Sequence, residues 1–218
     1  VTIIPLPYRI KKYLAMKPSV FDPSSQHLSR ESKIVVALER ISEAFRVLLW
    51  SEGKALGLSP IQIQILIFLR FHAKEKCKVG YLAQEFNLTK ATVSEAVKSL
   101  EDKKLIAKEP EPADTRSYTI HLTSEGNRLA ERTSSFAEAV ERPVSEMTEM
   151  QKEVLLASLL ELIFKLQKAG IIGIQRMCAT CRFYGKDQYG AGTHFCNLLQ
   201  IPLQTSELRI DCPEHEAA

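Results

Sequence analysis

A chain of 218 residues, 45% hydrophobic and 25% charged, has the composition of one good core with an appendage, or of two small domains. No apolar run approaches the ~20 residues a bilayer-spanning helix demands, which excludes a membrane as the expected partner. The formal charge of +3 does not announce a nucleic-acid binder, but its distribution is uneven: between Lys74 and Lys108 eight lysines face five acids, so one stretch carries the whole excess. A local basic surface of this kind attracts phosphate, and a solvated lysine-rich helix face is the plainer account of the same count.

The opening "VTIIPLPYRIKKYLAMKPSV" breaks its short greasy run with Pro5 and Pro7 and lacks a signal-peptide layout, so a cytoplasmic protein is expected. Four of the ten prolines fall in residues 1–30, which read as an extended arm. Ile34, Leu38, Ile41, Phe45 and Leu48 then recur at helical spacing and predict an amphipathic helix ending near Gly53. In "LSPIQIQILIFLRF", Ser59 is a cap, Pro60 suits the first helical position and Gln62 completes a capping box. "KVGYLAQEFNL" predicts a short helix with Leu82 and Phe86 inward. "TKATVSEAVKSLEDKKLI" predicts a longer one, capped by Thr89, with Val93, Val97 and Leu100 on one face.

The period then changes from helical to alternating. "LIAKE" and "SYTIHL" flank "PEPADTR" and predict a β-hairpin with a long tip. "TSEGNRLAERTSSFAEAVE" reads as helix up to Pro143, and a last long helix carries Leu155, Leu159, Leu162 and Leu166 in a seam before Gly170. Gly173 is expected to loosen the chain beyond it. This gives three regions: an arm over 1–30, a helical domain over 31–170 and a cysteine-rich module over 171–218.

Helix, short helix, longer helix and hairpin in that order predict a mainly α chain with a winged helix-turn-helix. Such a unit puts a helix into the major groove of double-stranded DNA, where base edges are distinguishable, and a hairpin tip into the neighbouring minor groove. Over Lys33 to Gly170 the chain resembles the multiple-antibiotic-resistance regulator (MarR) family of bacterial transcription factors. The resemblance rests on "LSPIQIQILIFL", "LAQEFNLTKATVSEAVKSLEDKKLI" and "DTRSYTIHLTSEGNRLAER". It implies an intertwined helical homodimer that represses nearby genes, with a small-molecule effector or thiol oxidation as the release. It also implies that Lys90, Thr92, Ser94, Glu95 and Lys98 face the major groove, with Thr89 and Thr92 adding phosphate contacts. Arg116 becomes the minor-groove arginine, held by a bidentate pair with Asp114. Glu109 and Glu111 at the base of the wing depart from the pattern, because acids there oppose phosphate.

Cys178, Cys181, Cys196 and Cys212 lie outside that resemblance. In a reducing compartment clustered cysteines read as metal ligands or redox thiols. Cys178-x2-Cys181 is a knuckle, and four thiolates suit zinc, whose binding staples a tail with little core. An iron–sulfur cluster is the alternative, since Cys212-Pro213 echoes the end of ferredoxin motifs. His215, at knuckle spacing from Cys212, and His194 are rival ligands. A thiol–disulfide switch through Cys178 and Cys181, or an oxidoreductase site, is a further reading. The absence of a βαβ framework, a nucleophile–base set or a phosphate loop argues against an enzyme. Cys77 stands among lysines that are expected to lower its pKa.

Overall fold

The structure is a computed structural model that describes residues 19–24, 29–111 and 114–218, without the side chains of 112–116. Most of the arm expected over 1–30 therefore lies outside the described residues. The chain divides into two compact units, Val1–Leu49 and Trp50–Ala218, with the boundary inside helix α1 (Arg30–Leu56). The predicted apolar stripe of α1 is present, but Ile34 and Ile41 are exposed.

Helix α1 does not stop at Gly53. It continues to Leu56 and ends at Gly57, whose φ of 63° suits the left-handed residue of a Schellman turn, closed by the Leu58 N–H donating to the Gly53 carbonyl at 2.9 Å. Gly53 serves a different purpose, close approach, since a Cβ there would collide with the Leu58 carbonyl.

Helix α2 (Pro60–Phe71) starts as its sequence predicts, with the Ser59–Gln62 capping box formed and Pro60 in the first turn. It buries Ile63, Ile65, Leu66, Phe68 and Leu69. Helices α3 (Val79–Glu85) and α4 (Lys90–Asp102) complete the core with Leu82, Val93, Val97 and Leu100, each fully buried. Strands β1 (Ile106–Glu111) and β2 (Asp114–Leu122) form an antiparallel hairpin in the register Ile106↔Leu122 to Pro110↔Tyr118, with an irregularity between Pro110 and Glu111. The Ile120 N–H donates to the Cys77 carbonyl at 2.9 Å, which pins the hairpin to the turn ahead of α3.

Helix α5 (Ser124–Thr133) begins at Thr123, whose hydroxyl accepts from the Gly126 N–H and also bonds the Lys104 and Leu105 carbonyls. A Cβ on Gly126 would strike the Leu105 carbonyl, which explains a glycine one turn into a helix. The expected stop at Pro143 is not made. A 3₁₀ turn over Ser134–Ala137 leads into α6 (Glu138–Ser145), which contains Pro143: its fixed φ suits a helix, and only one hydrogen bond is given up. Helix α7 (Glu149–Lys168) is capped by Thr148 and Gln151. Of its residues only Leu160 is buried, so the Leu155–Leu166 seam is not a core within this chain.

The remainder is a small three-stranded antiparallel sheet, β3 (Tyr184–Gly185), β4 (Thr193–Cys196) and β5 (Ile201–Gln204), in the order β3-β4-β5. It packs against α7 through the 3₁₀ turn Thr205–Glu207. The cysteine-rich tail thus belongs to the same compact unit as the winged helix. Among the described residues no single helix is long and apolar enough to cross a membrane.

Candidate nucleic-acid interface and cysteine site

The turn between α3 and α4 is set by Asn87, in the left-handed region at φ 53°, with the Leu88 N–H returning to the Ala83 carbonyl at 2.9 Å. Thr89 then caps α4 by accepting from the Thr92 N–H at 3.1 Å, and the two hydroxyls share a hydrogen bond of 2.9 Å. With Val93, Ala96, Val97 and Leu100 inward, the opposite face carries Thr89, Lys90, Thr92, Ser94, Glu95 and Lys98, every one exposed. These are the six residues singled out on this helix from its sequence. Two ammonium groups and several hydroxyls on one free face form a surface able to meet both phosphates and base edges.

The two acids of the wing each lie against a basic side chain. Glu111 is ion-paired to Lys78, which holds its carboxyl below the usual range. Glu109 lies 2.8 Å from His121 Nε2, although out of line for a hydrogen bond. Lys108 bonds Glu101 at 2.6 Å and lies over the Tyr118 ring. The side chains of Asp114 and Arg116, the wing-tip pair, lie outside the described residues.

Cys77 corrects its sequence reading. Its thiol is buried, next to the Ala73 carbonyl at 3.5 Å, and burial, with Glu75 adding to it, pushes its pKa up rather than down. Sequence adjacency to lysines suggested an activated thiol, and enclosure outweighs it.

Cys178, Cys181, Cys196 and Cys212 all line one cavity and are all free thiols. The cavity is small, about 30 Å³, and Phe183, Tyr184 and Leu203 are among its walls. The knuckle is a 3₁₀ turn closed by the Cys181 N–H donating to the Cys178 carbonyl at 2.9 Å. Cys196 enters from the end of β4, paired with Tyr184 and Ile201. Cys212 is brought in by its N–H donating to the Arg176 carbonyl at 2.9 Å. The Arg209 N–H donates to Cys178 Sγ at 3.3 Å, and its guanidinium approaches Cys212 Sγ at 3.6 Å. Neither rival histidine lines the cavity: His215 bonds Thr180 at 2.9 Å, and His194 is buried beside Tyr184 with its Nδ1 facing the Asp187 N–H. Among the described residues no three His, Cys, Asp or Glu side chains are gathered closely enough to hold a single metal ion.

Sequence reasoning missed Arg176. This guanidinium, 5% exposed, makes a bidentate pair with Asp211 (2.5 and 2.9 Å) and a second with Glu85 of α3 (2.6 and 3.1 Å). Tyr81 of α3 accepts a further bond at 3.0 Å, and His72 Nε2 lies 2.8 Å from Asp211 Oδ2. Bonding to Arg176 draws the Asp211 pKa down to about 2. The tail also touches the helix-turn-helix at its turn, where Asn87 donates to the Ile171 carbonyl at 3.3 Å. Gly173 lies so near the Gln84 carbonyl that a Cβ would not fit, so it is a contact point and not the loose joint its residue type suggested. A lone Arg in an irregular segment, 35 and 91 residues from its partners, offers no spacing signal.

Residues 56–117 match the sequence profile of the MarR family. Among solved structures, the S. aureus MepR–DNA complex is similar over 61% of this chain and 97% of that one, with 28% identity and a TM-score of 0.55. S. aureus MepR in its DNA-binding conformation gives 26% identity and 0.54 over 61% and 98%. A MarR transcriptional regulator from Methanosarcina mazei Go1, 20% identical over 62% and 97% with a TM-score of 0.54, shares the fold. No curated protein matches the chain in sequence.

Proposed function

We propose that the chain, whose residues 56–117 match the MarR family and whose fold is similar to that of MepR, is a DNA-binding transcription regulator that acts as a homodimeric repressor. The observation carrying this reading is the free face of α4, where Lys90, Thr92, Ser94, Glu95 and Lys98 stand exposed on a helix whose other side is locked into the core. Likeness to MepR, solved in complex with DNA, supports DNA as the partner, and a helix-turn-helix places its second helix in the major groove, which assigns α4 there. Arg116 is assigned to the minor groove and Asp114 to its support. The regulator turns over no substrate.

The second copy is assigned to the apolar faces of α1 and α7. Met150, Val154, Leu155 and Leu162 on α7, and Ile34, Ile41 and Val47 on α1, are exposed in the single chain. Apolar surface on two helices in one chain is what an interlocked helical dimer covers. A small-molecule effector is assigned as the release, as the family resemblance implies. The four cysteines are assigned to a thiolate metal site, for which zinc and an iron–sulfur cluster are the chemical candidates.

Selection from a random duplex pool, followed by footprinting, tests the reading. Recovery of a two-fold symmetric site with half-sites about one helical turn apart is expected of a dimer. Recovery of no sequence, with no duplex retained at low salt, would overturn it.

A further inference from the structure

We infer that Arg176 and Gly173 are positioning residues of the helix-turn-helix: through them the tail holds α3 in place and thereby sets the pose of α4, without touching DNA.

Helix α3 has little of its own to hold it. It spans seven residues and buries Leu82 and Ala83, and a helix this short is marginal unless tertiary contacts fix it. Tyr81 and Glu85 stand one turn apart on it, and so share a face. Arg176 takes both, since the phenol oxygen and the carboxylate accept from one guanidinium. That guanidinium also lies 5.9 Å from the centre of the Tyr81 ring and 5.6 Å from that of Phe68 on α2. It donates as well to Asp211 of the tail. One enclosed side chain therefore ties α2, α3 and the tail together.

A second contact falls where α3 gives way to the turn. Asn87, the left-handed residue of that turn, donates from its side chain to the Ile171 carbonyl, and Gly173 packs on the Gln84 carbonyl with no room for a Cβ. The tail thus bears on both the face and the exit of α3, and α4 begins at Lys90, three residues beyond Asn87. With its 13 residues α4 is roughly 20 Å long, so a tilt of about 10° at its start moves its far end by about 3 Å. A binding surface tolerates displacements of about 0.5 Å, so a small loosening at the turn is enough to spoil readout of base edges. Arg176, at 5% exposure and shared between two carboxylates, is not placed to meet a phosphate. Its influence on binding runs through pose. Residues 171–218 lie beyond the profile match over 56–117, so the contact joins the shared winged helix to a part of the chain outside it. The consequence for DNA rests on the function proposed for α4, whereas the hold on α3 does not.

The test uses the full chain in two variants. Arg176→Lys keeps a positive charge but lacks the fork that grips two carboxylates and a phenol. Gly173→Ala forces the tail away from the turn and leaves Arg176 intact, so it carries the test if the first variant folds poorly. Fluorescence anisotropy compares the selected duplex with a duplex of random sequence. Each variant is expected to lose about tenfold or more in affinity for the selected duplex and less than about twofold for the random one. A merely structural role would reduce binding to both duplexes alike. Unchanged affinity for the selected duplex in both variants, or an equal loss on the two duplexes, would overturn the positioning role. Amide exchange without DNA reads the hold itself, and exchange over Val79–Glu85 is expected to be about tenfold faster in each variant. Exchange there equal to that of the wild type would overturn the hold. A wild type that selects no duplex counts against the function proposed for α4, and the exchange readout still decides the hold on α3.

Discussion

Arg176 Nη1 lies 2.6 Å from Glu85 Oε2, and the two side chains are 5% and 17% exposed. A charge pair this enclosed gains little over an apolar filling, but losing one partner leaves the other stranded. Arg176→Met is therefore expected to lower stability by about 3–5 kcal/mol. The double variant Arg176→Met/Glu85→Gln should recover part of that loss. Urea unfolding of the three proteins reads the difference, and equal loss in both variants would contradict the pairing.

Gly126→Ala places a methyl group against the Leu105 carbonyl, with the Thr123 cap fixing the helix that carries it. Overpacking against backbone is expected to lower stability by about 1–3 kcal/mol. Thr123→Ala, which removes only the cap, should cost about 1 kcal/mol. Thermal unfolding ranks the two, and an alanine at 126 tolerated without loss would contradict the tight approach.

Cys77 is buried, and its thiol pKa is raised. The thiolate is the reacting form, so a raised pKa means less of it at any pH below that value, and enclosure slows access further. Iodoacetamide at pH 8 is expected to modify Cys77 slowly in the folded protein and quickly in urea, as peptide mass spectrometry will show. Equal rates in the two conditions would contradict the burial.

The sequence foretold the elements whose signals are local. Ser59 and Gln62 announced the start of α2, the Val93–Val97–Leu100 spacing placed the free face of α4, and alternation from Tyr118 to Leu122 marked β2. What it hid depends on distant partners. Gly173 and Gly53 look like flexible points until the carbonyls beside them are seen, and Cys77 looks activated until it is buried. The four cysteines were recognisable as a set from the knuckle and the shortage of core. The β-strand and loop contacts that bring them to one cavity were not. Arg176 was invisible for the same reason, since a buried ion pair carries no periodicity.

The free face of α4 makes a specific claim about electrostatics. Each lysine that meets a phosphate should contribute about one unit to the slope of log affinity against log salt. Lys90→Ala and Lys98→Ala should each weaken binding across all sequences, and Arg116→Ala should weaken it most at A·T-rich flanks.

The most direct measurement is fluorescence anisotropy of the selected duplex, titrated with wild-type and Lys90→Ala/Lys98→Ala protein at several salt concentrations. The account predicts tight, strongly salt-dependent binding by the wild type and a slope shallower by about two in the double variant. Identical slopes and affinities for the two proteins would show that α4 is not the surface that meets DNA.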